Sequence, residues 1–289
     1  MIDTWPSPAK INLFLYINGK RADGYHYIQT LFQLLDYNDT LKIIPNNSGK
    51  VELFTKKKSL INIKNTIFSA ARILKEKALF YKNINTINFG AKIFLTKNIP
   101  IGSGLGGASS NAATTLIVLN KLWGIQFTLK ELALFGLEIG ADVPIFIIGQ
   151  TSVGEEIGNV LYPILTKEKW YLVIYPNINI STKKIFSSPF LRSNTPKKSI
   201  KTLLKSTFRN DCEHVVTKQF IKIKKLITML SLYAPSRITG TGSCIFSEFK
   251  NKKSAEKILF LLPKNMKIFI VKSINTSPLH DLLYKNISC

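Results

Sequence analysis

Between Pro100 and Asn111 the chain reads PIGSGLGGASSN, where four glycines, at 102, 104, 106 and 107, run into two serines and an asparagine. No other stretch restricts the fold as much. Glycines at this density call for a backbone that turns through conformations other residues avoid. The strand-like run INFGAKIFL precedes them, and ASSNAATTLIVLNKLW, with apolar positions at helical spacing, follows. The order is strand, glycine loop, helix, with the first helical turn expected near Ser109 to Ala112. The first amides of a helix have no intrahelical acceptor and carry in total about half a positive charge. Glycines let an anion approach that main chain closely, so the segment is a candidate phosphate site. Tight turning or helix packing is the alternative use of such glycines. Two hydroxyls and an amide in the same ten residues weigh against it.

Read literally, Gly102, Gly104 and Gly107 spell G-x-G-x-x-G. A dinucleotide loop sits directly at a strand end and is followed, about 20 residues on, by an acid on a second strand. Here Lys97-Asn98-Ile99-Pro100-Ile101 intervenes, and two helical patterns follow instead. The protein-kinase reading lacks both H-R-D and D-F-G, and a Walker loop would end in Gly-Lys, which is absent. The spelling is coincidental, and the loop is of another kind.

Several classes are excluded by what surrounds it. No apolar run approaches the ~18 residues of a membrane span; VPIFII and KILFLL have strand or core-helix length. Asp3 precedes the first apolar stretch, so a secretory signal is not expected, and the expected location is cytoplasmic. Cys212, Cys244 and Cys289 form no C-x-x-C pair, and His26, His214 and His280 form no ligand cluster, which argues against disulfides and a zinc site. His280 beside Asp281 reads as surface decoration. The net charge of +23 invites a nucleic-acid partner. Its excess is mostly lysine in an isoleucine- and asparagine-rich chain, and the basic block from Lys183 to Arg209 lacks regularly interleaved aromatics, so no nucleic acid is expected.

Strand alternation in AKINLFLYI puts Lys10, Asn12 and Phe14 on one face and Ile11, Leu13 and Leu15 on the other. The Asp23-Gly24 turn leads to a further extended stretch through TLFQLLDYND. VELF is a strand, TIFSAARILKEKALF a helix, and LKELALFGLEIG a helix stopped by Gly140. From about residue 170 the pattern restarts: strand WYLVIYP, helix EHVVTKQFIKIKKLITML, turn and strand SRITGTGSCIFSEF, helix NKKSAEKILFLL, strand MKIFIVKSI. This predicts an α+β chain of two domains, 1–160 and 161–289.

Three segments in this order, SPAKINLFLYINGKRADGYHYIQTLFQLLDYND, PIGSGLGGASSNAA and TGTGSCIF, resemble the three motifs of the GHMP kinase superfamily, whose members phosphorylate small-molecule alcohols. The resemblance extends to the NDCE segment at 210–213 and is thin between about 45 and 90 and across the basic block. Ala108 stands where a further glycine is common and Ser243 where alanine is, both small. The resemblance implies a ribosomal-protein-S5-like ATP-binding domain followed by a ferredoxin-like α/β-sandwich domain. It also implies ATP as phosphoryl donor with Mg²⁺ carried by the nucleotide. DGYH and GADVPIF are similar to the branch whose substrate is a cytidine diphosphate polyol; homoserine or mevalonate kinases are the rival readings, and neither substrate needs DGYH.

By the same resemblance, ATP is held by Pro100, Ile101, Gly102, Ser103, Gly104, Leu105, Gly106, Gly107, Ala108, Ser109 and Ser110, with the Ser110 hydroxyl an optional metal contact and no other protein ligand. A side chain at Gly106 is then expected to impair nucleotide use before stability. Asp142 is implied as general base. Taken alone it is a turn or cap residue on a bend, with Val143-Pro144 expected to force an extended exit. Lys10 is implied to sit beside it; alone, it would be an edge-strand lysine reaching water. Asn12 is implied to hold the substrate's hydroxyl or diphosphate, Tyr25 and His26 to recognise cytosine, and Phe186 to close the ring's other side, with Thr182 or Lys97 as a further contact. The Gly240–Ser243 turn is implied to approach the site, although a turn before a strand needs no function.

Overall fold

The computed structural model describes residues 4–263 and 265–285, so Asp3 and Cys289 lie outside the described residues. The chain opens with two long antiparallel strands, β1 (Thr4–Lys20) and β2 (His26–Asn46). Then come β3 (Val51–Thr55), α1 (Thr66–Lys82), β4 (Gly90–Thr96), α2 (Gly107–Leu122), α3 (Leu129–Leu137), α4 (Val143–Ile148), β5 (Ser152–Glu155) and β6 (Val160–Pro163). The remainder supplies β7 (Trp170–Tyr175), α5 (Thr182–Phe186), α6 (Ile200–Lys205), α7 (Glu213–Gln219), α8 (Ile221–Ser231), β8 (Ser236–Ile238), β9 (Ile245–Phe249), α9 (Lys252–Glu256), β10 (Lys267–Ile274) and α10 (Pro278–Lys285).

The strands follow the order β3-β4-β2-β10-β7-β9-β8, with β1 and β5 also paired to β2 and β6 to β5. Only the β3–β4 pair is parallel among the described strands. The length of β2 is what makes this possible: Thr30–Phe32 meets β5, Leu34 and Leu35 meet β10, and Thr40–Asn46 meets β4. Helices α1 to α4 bury their apolar faces with Phe32, Leu41 and Ile43 in one core. A second core joins Leu15 and Ile17 of β1 to α7, α8, β8 and β9. Between them Ala9, Ile11, Phe14, Leu105, Val173 and Phe246 form a third, so the two halves share apolar packing, which holds the cleft between them.

Several local expectations change. The strand β1 has an irregular register between Asn12 and Leu15, so Phe14 leaves the face of Lys10 and Asn12 and joins Ile11 and Leu13 in the central core. Helix α3 ends at Leu137, before Gly140. Val143-Pro144 starts α4 rather than an extended exit, because Pro in a first helical turn forfeits no helical bond. Phe220, at φ −124° and ψ 85°, divides the expected long helix into α7 and α8. NKKSAEKILFLL forms α9 and a short 3₁₀ turn at Leu259–Leu261. His280 is not on the surface: α10 folds back over the first half, leaving the residue 4% exposed against Gly149. Cys212 and Cys244 are buried and unpaired, and burial pushes the Cys212 thiol up to about 12. Among the described residues no helix is long and apolar enough to cross a membrane.

Candidate active site

The first helical turn of α2 begins at Gly107, two residues ahead of expectation, and Ser110 N makes its first bond, to Gly106 O at 2.9 Å. The amides of Gly107, Ala108 and Ser109 therefore precede any intrahelical acceptor. Three features fix this loop. The Ser103 hydroxyl donates to Pro100 O at 2.7 Å, Lys10 N donates to Leu105 O at 3.0 Å, and Cys244 N donates to Ser103 O at 3.0 Å. The last bond brings the late Thr239–Cys244 turn onto the loop. Gly104, at φ +80°, allows the approach, since a Cβ there would lie 2.7 Å from Thr239 O and 2.8 Å from Gly242 O. Gly106 has φ +74° and its Cβ would lie 2.7 Å from the Phe146 ring, so a side chain there strains the fold itself, contrary to the expectation that nucleotide use would suffer first.

Lys10 is buried, and its ammonium stands 3.1 Å from Asp142 Oδ2 and donates to Asn12 Oδ1 at 2.7 Å. It also lies 5.5 Å from the centroid of the Phe32 ring. Asp142 precedes α4 in a helical conformation, φ −86° and ψ −5°, with no cap bond from its side chain, which is 36% exposed. The carboxylate is thus spent on Lys10 and not on its own helix. Asn12 Nδ2 donates to Thr30 Oγ1 at 2.8 Å, and Asn12 N to Thr239 Oγ1 at 2.9 Å.

A cavity of about 760 Å³ runs from this cluster between the halves. Lys10, Asn12, Gly104, Ser109 and Asp142 line one end; Tyr25, His26, Thr182 and Phe186 line the other, with Gly240 and Thr241 from the late turn. Tyr25 is 59% exposed, whereas His26 is buried, with its ring centroid 5.3 Å from that of Phe186. Burial, with Lys20 nearby, holds the His26 imidazole below its ordinary pKa. The hydroxyls of Thr182 and Thr241 are 3.1 Å apart, joining α5 to the turn.

The remaining loop residues have distinct placements. Ile101 and Gly102 are exposed, while Pro100, Leu105 and Gly107 are buried. The Ser110 hydroxyl turns to β1, where Ser7 Oγ approaches at 3.0 Å. The Ala108 carbonyl accepts from Thr66 at the start of α1, 2.8 Å. Lys97 does not line the cavity: its ammonium pairs with buried Asp39 and would lie 2.8 Å from a Cβ at Gly107. Asp39 also accepts from Asn98 N and Ile99 N, each at 2.8 Å, and so anchors the strap that enters the loop.

Sequence reading missed Thr30, Asp39, Thr239 and Asn210. Asn210 Nδ2 donates to Gly240 O at 2.8 Å, and Asp211 accepts from Ile17 N at 2.9 Å, which is the physical content of the NDCE segment. The recurrence of that segment in the resemblance was the only signal. Nothing local reports a bond to residues so distant in the chain.

A strand pair carrying a buried lysine, a glycine loop at a helix start and an aspartate at the next helix but one define a small-molecule kinase. The chain belongs to the GHMP kinase family: residues 65–150 match the GHMP kinases N terminal domain and 191–268 the GHMP kinases C terminal domain. It is 66% identical over 285 residues to the 4-diphosphocytidyl-2-C-methyl-D-erythritol kinase of Buchnera aphidicola subsp. Acyrthosiphon pisum (strain APS), covering 99% of this chain and 100% of that one. The enzyme of the same name from Buchnera aphidicola subsp. Schizaphis graminum (strain Sg) is also 66% identical, with 99% and 98% covered. Among solved structures, a 4-(cytidine 5'-diphospho)-2C-methyl-D-erythritol kinase superposes with TM-score 0.79 at 25% identity, covering 93% of this chain and 98% of that one. The fold is also that of Methanococcus jannaschii mevalonate kinase, TM-score 0.67 at 19% identity, with 94% and 98% covered. The α+β two-domain kinase fold expected from the three motifs is the observed one.

Proposed function

We infer that this chain transfers the γ-phosphoryl group of ATP to the 2-hydroxyl of 4-diphosphocytidyl-2-C-methyl-D-erythritol. The products are the 2-phosphate and ADP, in the non-mevalonate (methylerythritol phosphate) route to isoprenoid precursors. Two relatives at 66% identity over essentially the whole chain carry that activity in their names. The observation that carries the reading is the single cavity with an aromatic end at Tyr25, His26 and Phe186 and an ionic end at Lys10 and Asp142 beside the glycine loop.

Asp142 Oδ2 accepts the proton of the substrate hydroxyl as that oxygen bonds to the γ-phosphorus and the bond to the β,γ-bridging oxygen breaks; ADP leaves with the electron pair. Lys10 pairs with the carboxylate and offers positive charge to the developing alkoxide, and Asn12 positions the hydroxyl. The Pro100–Ser110 segment gives its free helix-start amides to the nucleotide phosphates. Neutral His26, with Tyr25 and Phe186, takes the cytosine ring, and Thr182, which lines the same cavity, is a further substrate contact. On this reading residues 1–160 bind nucleotide and 161–289 close over the substrate, with β10 and α10 returning to pack on the first half.

Mg²⁺ fits as an ion carried by the nucleotide. Among the described residues no three His, Cys, Asp or Glu side chains cluster, and the Ser110 hydroxyl is engaged by Ser7, so phosphate oxygens and water would hold it. Bound there, it would supply charge neutralisation to the nucleotide phosphates. The reaction belongs in the cytoplasm, where ATP is supplied, and the lysine surplus needs no nucleic-acid partner.

The test is turnover of ATP and Mg²⁺ with a panel of the cytidylylated polyol, its uncytidylylated 4-phosphate, mevalonate and homoserine. ADP release confined to the cytidylylated polyol is expected, with KM for it raised about tenfold or more by Tyr25→Ala or Phe186→Ala and KM for ATP unmoved. Equal turnover of mevalonate or homoserine would overturn the reading.

A further inference from the structure

The amide of Asn12 has two ends of the same shape and opposite hydrogen-bonding sense, and the site depends on which end meets Lys10. An oxygen there accepts from the ammonium at 2.7 Å; a nitrogen there would set donor against donor in a buried place. The neighbours of Asn12 decide the matter. Thr30 is fully buried on β2, and its hydroxyl lies 2.6 Å from Phe14 O, an acceptor with no proton to give. The one proton of that hydroxyl is therefore committed to Phe14 O, and toward Asn12, at 2.8 Å, Thr30 can only accept. That forces the NH₂ of Asn12 onto Thr30 and its oxygen onto Lys10.

The Phe14 carbonyl is available because β1 loses its regular register between Asn12 and Leu15. The bulge thus has a consequence at the site: it presents to Thr30 a main-chain oxygen that takes the hydroxyl's one proton, so that Thr30 accepts from Asn12 Nδ2 and Asn12 Oδ1 is left to accept from Lys10, which pairs with Asp142.

We propose that Thr30, which is buried and does not line the cavity, is a positioning residue that sets the orientation of the Asn12 amide and through it the aim of the Lys10 ammonium at Asp142. The proposal rests on the roles given above to Lys10, Asn12 and Asp142. With Thr30 unable to accept, the Asn12 NH₂ is left without an acceptor in a buried place, the amide is held only from its oxygen by Lys10 and Thr239, and the acceptor that aims the Lys10 ammonium is no longer fixed.

The experiment is a double-mutant cycle between Thr30→Val and Asn12→Ala in the full chain, with Thr30→Ser as the conservative control and circular dichroism to establish folding. Thr30→Val is expected to lower kcat about tenfold, on the scale of one misdirected buried hydrogen bond, with KM for ATP unchanged; Thr30→Ser is expected to restore it. In the Asn12→Ala background Thr30→Val should add less than about a twofold loss, because the amide it orients is gone. Should Thr30→Val not fold, Thr30→Ala removes the same acceptor without adding bulk. Independent, multiplicative losses would make Thr30 merely structural and overturn the proposal, as would full activity in a folded Thr30→Val. Full activity in Asn12→Ala would instead overturn the assigned site, and the proposal with it.

Discussion

Lys10 and Asp142 meet at 3.1 Å with unequal surroundings: the lysine side chain is walled in, and the aspartate side chain opens to the cavity. A fixed cation beside an accessible carboxylate is the arrangement a proton acceptor for an alcohol needs, because the pairing fixes the carboxylate's position while one edge remains free to meet substrate. Lys10→Arg keeps the charge but not the place. Lys10 Cε lies 3.2 Å from where a Gly106 Cβ would be, and the Phe32 ring flanks the ammonium, so a planar guanidinium has no room to reproduce the point contact. A loss of kcat of at least about 10²-fold is expected, with ATP affinity retained. An arginine variant at the parent rate would mean that charge alone suffices.

At Gly104 the obstacle to a side chain is main chain, not a side chain that can swing away. Gly104→Ala combines φ +80° with a Cβ 2.7 Å from Thr239 O, so the late turn must move off the loop. A cost of roughly 2–4 kcal/mol is expected, measured as a shift of the urea midpoint at unchanged m-value. A shift too small to measure would show that the two turns are not held together as described.

Asp39 is buried under the strap at Lys97–Ile99 and serves one ammonium and two amides. Burial pulls the pKa of Lys97 down, and Asp39 opposes that pull. Asp39→Ala leaves a buried lysine unpaired, for an expected loss of about 3–5 kcal/mol, whereas Asp39→Asn keeps an acceptor and should lose less. Thermal unfolding of the two variants, with KM for ATP alongside, separates anchoring from charge. Equal losses would mean that the acceptor kept in Asp39→Asn recovers nothing and that the charge alone carries the anchor.

Burial, partly offset by the Ile147 backbone and Asp281, holds the imidazole of His280 below its ordinary pKa. The unfolded chain then binds the proton more readily than the folded one. His280 accordingly contributes stability that is complete above about pH 6.5 and is lost as pH falls from there toward the depressed folded value. The melting temperature should decline through this window, and His280→Gln, which keeps a donor but cannot ionise, should flatten the decline. A variant with the parent's slope would place the titrating group elsewhere.

What could be read from the sequence was whatever depends on near neighbours in the chain. The order of strand, glycine loop and helix was legible because four glycines ahead of apolar positions at helical spacing mark a turn into a helix, and Lys10 with Asn12 were correctly placed on one face by alternation. Phe14 escaped that alternation because a register shift cannot be seen in one strand without its partner. Asp142 was put before an extended exit because the residue ahead of a proline disfavours helix, yet Pro144 falls in a first helical turn, where the penalty vanishes. His280 looked superficial because its burial depends on α10 crossing back to Gly149. Thr30 and Thr239 act through Asn12 from other strands and turns, so their hydroxyls carry no local mark.

The central claim is that Asp142 takes the proton from the hydroxyl while Lys10 and the glycine loop hold charge around it. Single-turnover phosphoryl transfer by Asp142→Asn tests it most directly, with preloaded ATP, the cytidylylated polyol and Mg²⁺. The variant is expected to fold, to bind ATP and the polyol within about threefold of the parent, and to transfer at least about 10²-fold more slowly. Transfer at the parent rate in a folded variant that binds both substrates would contradict it.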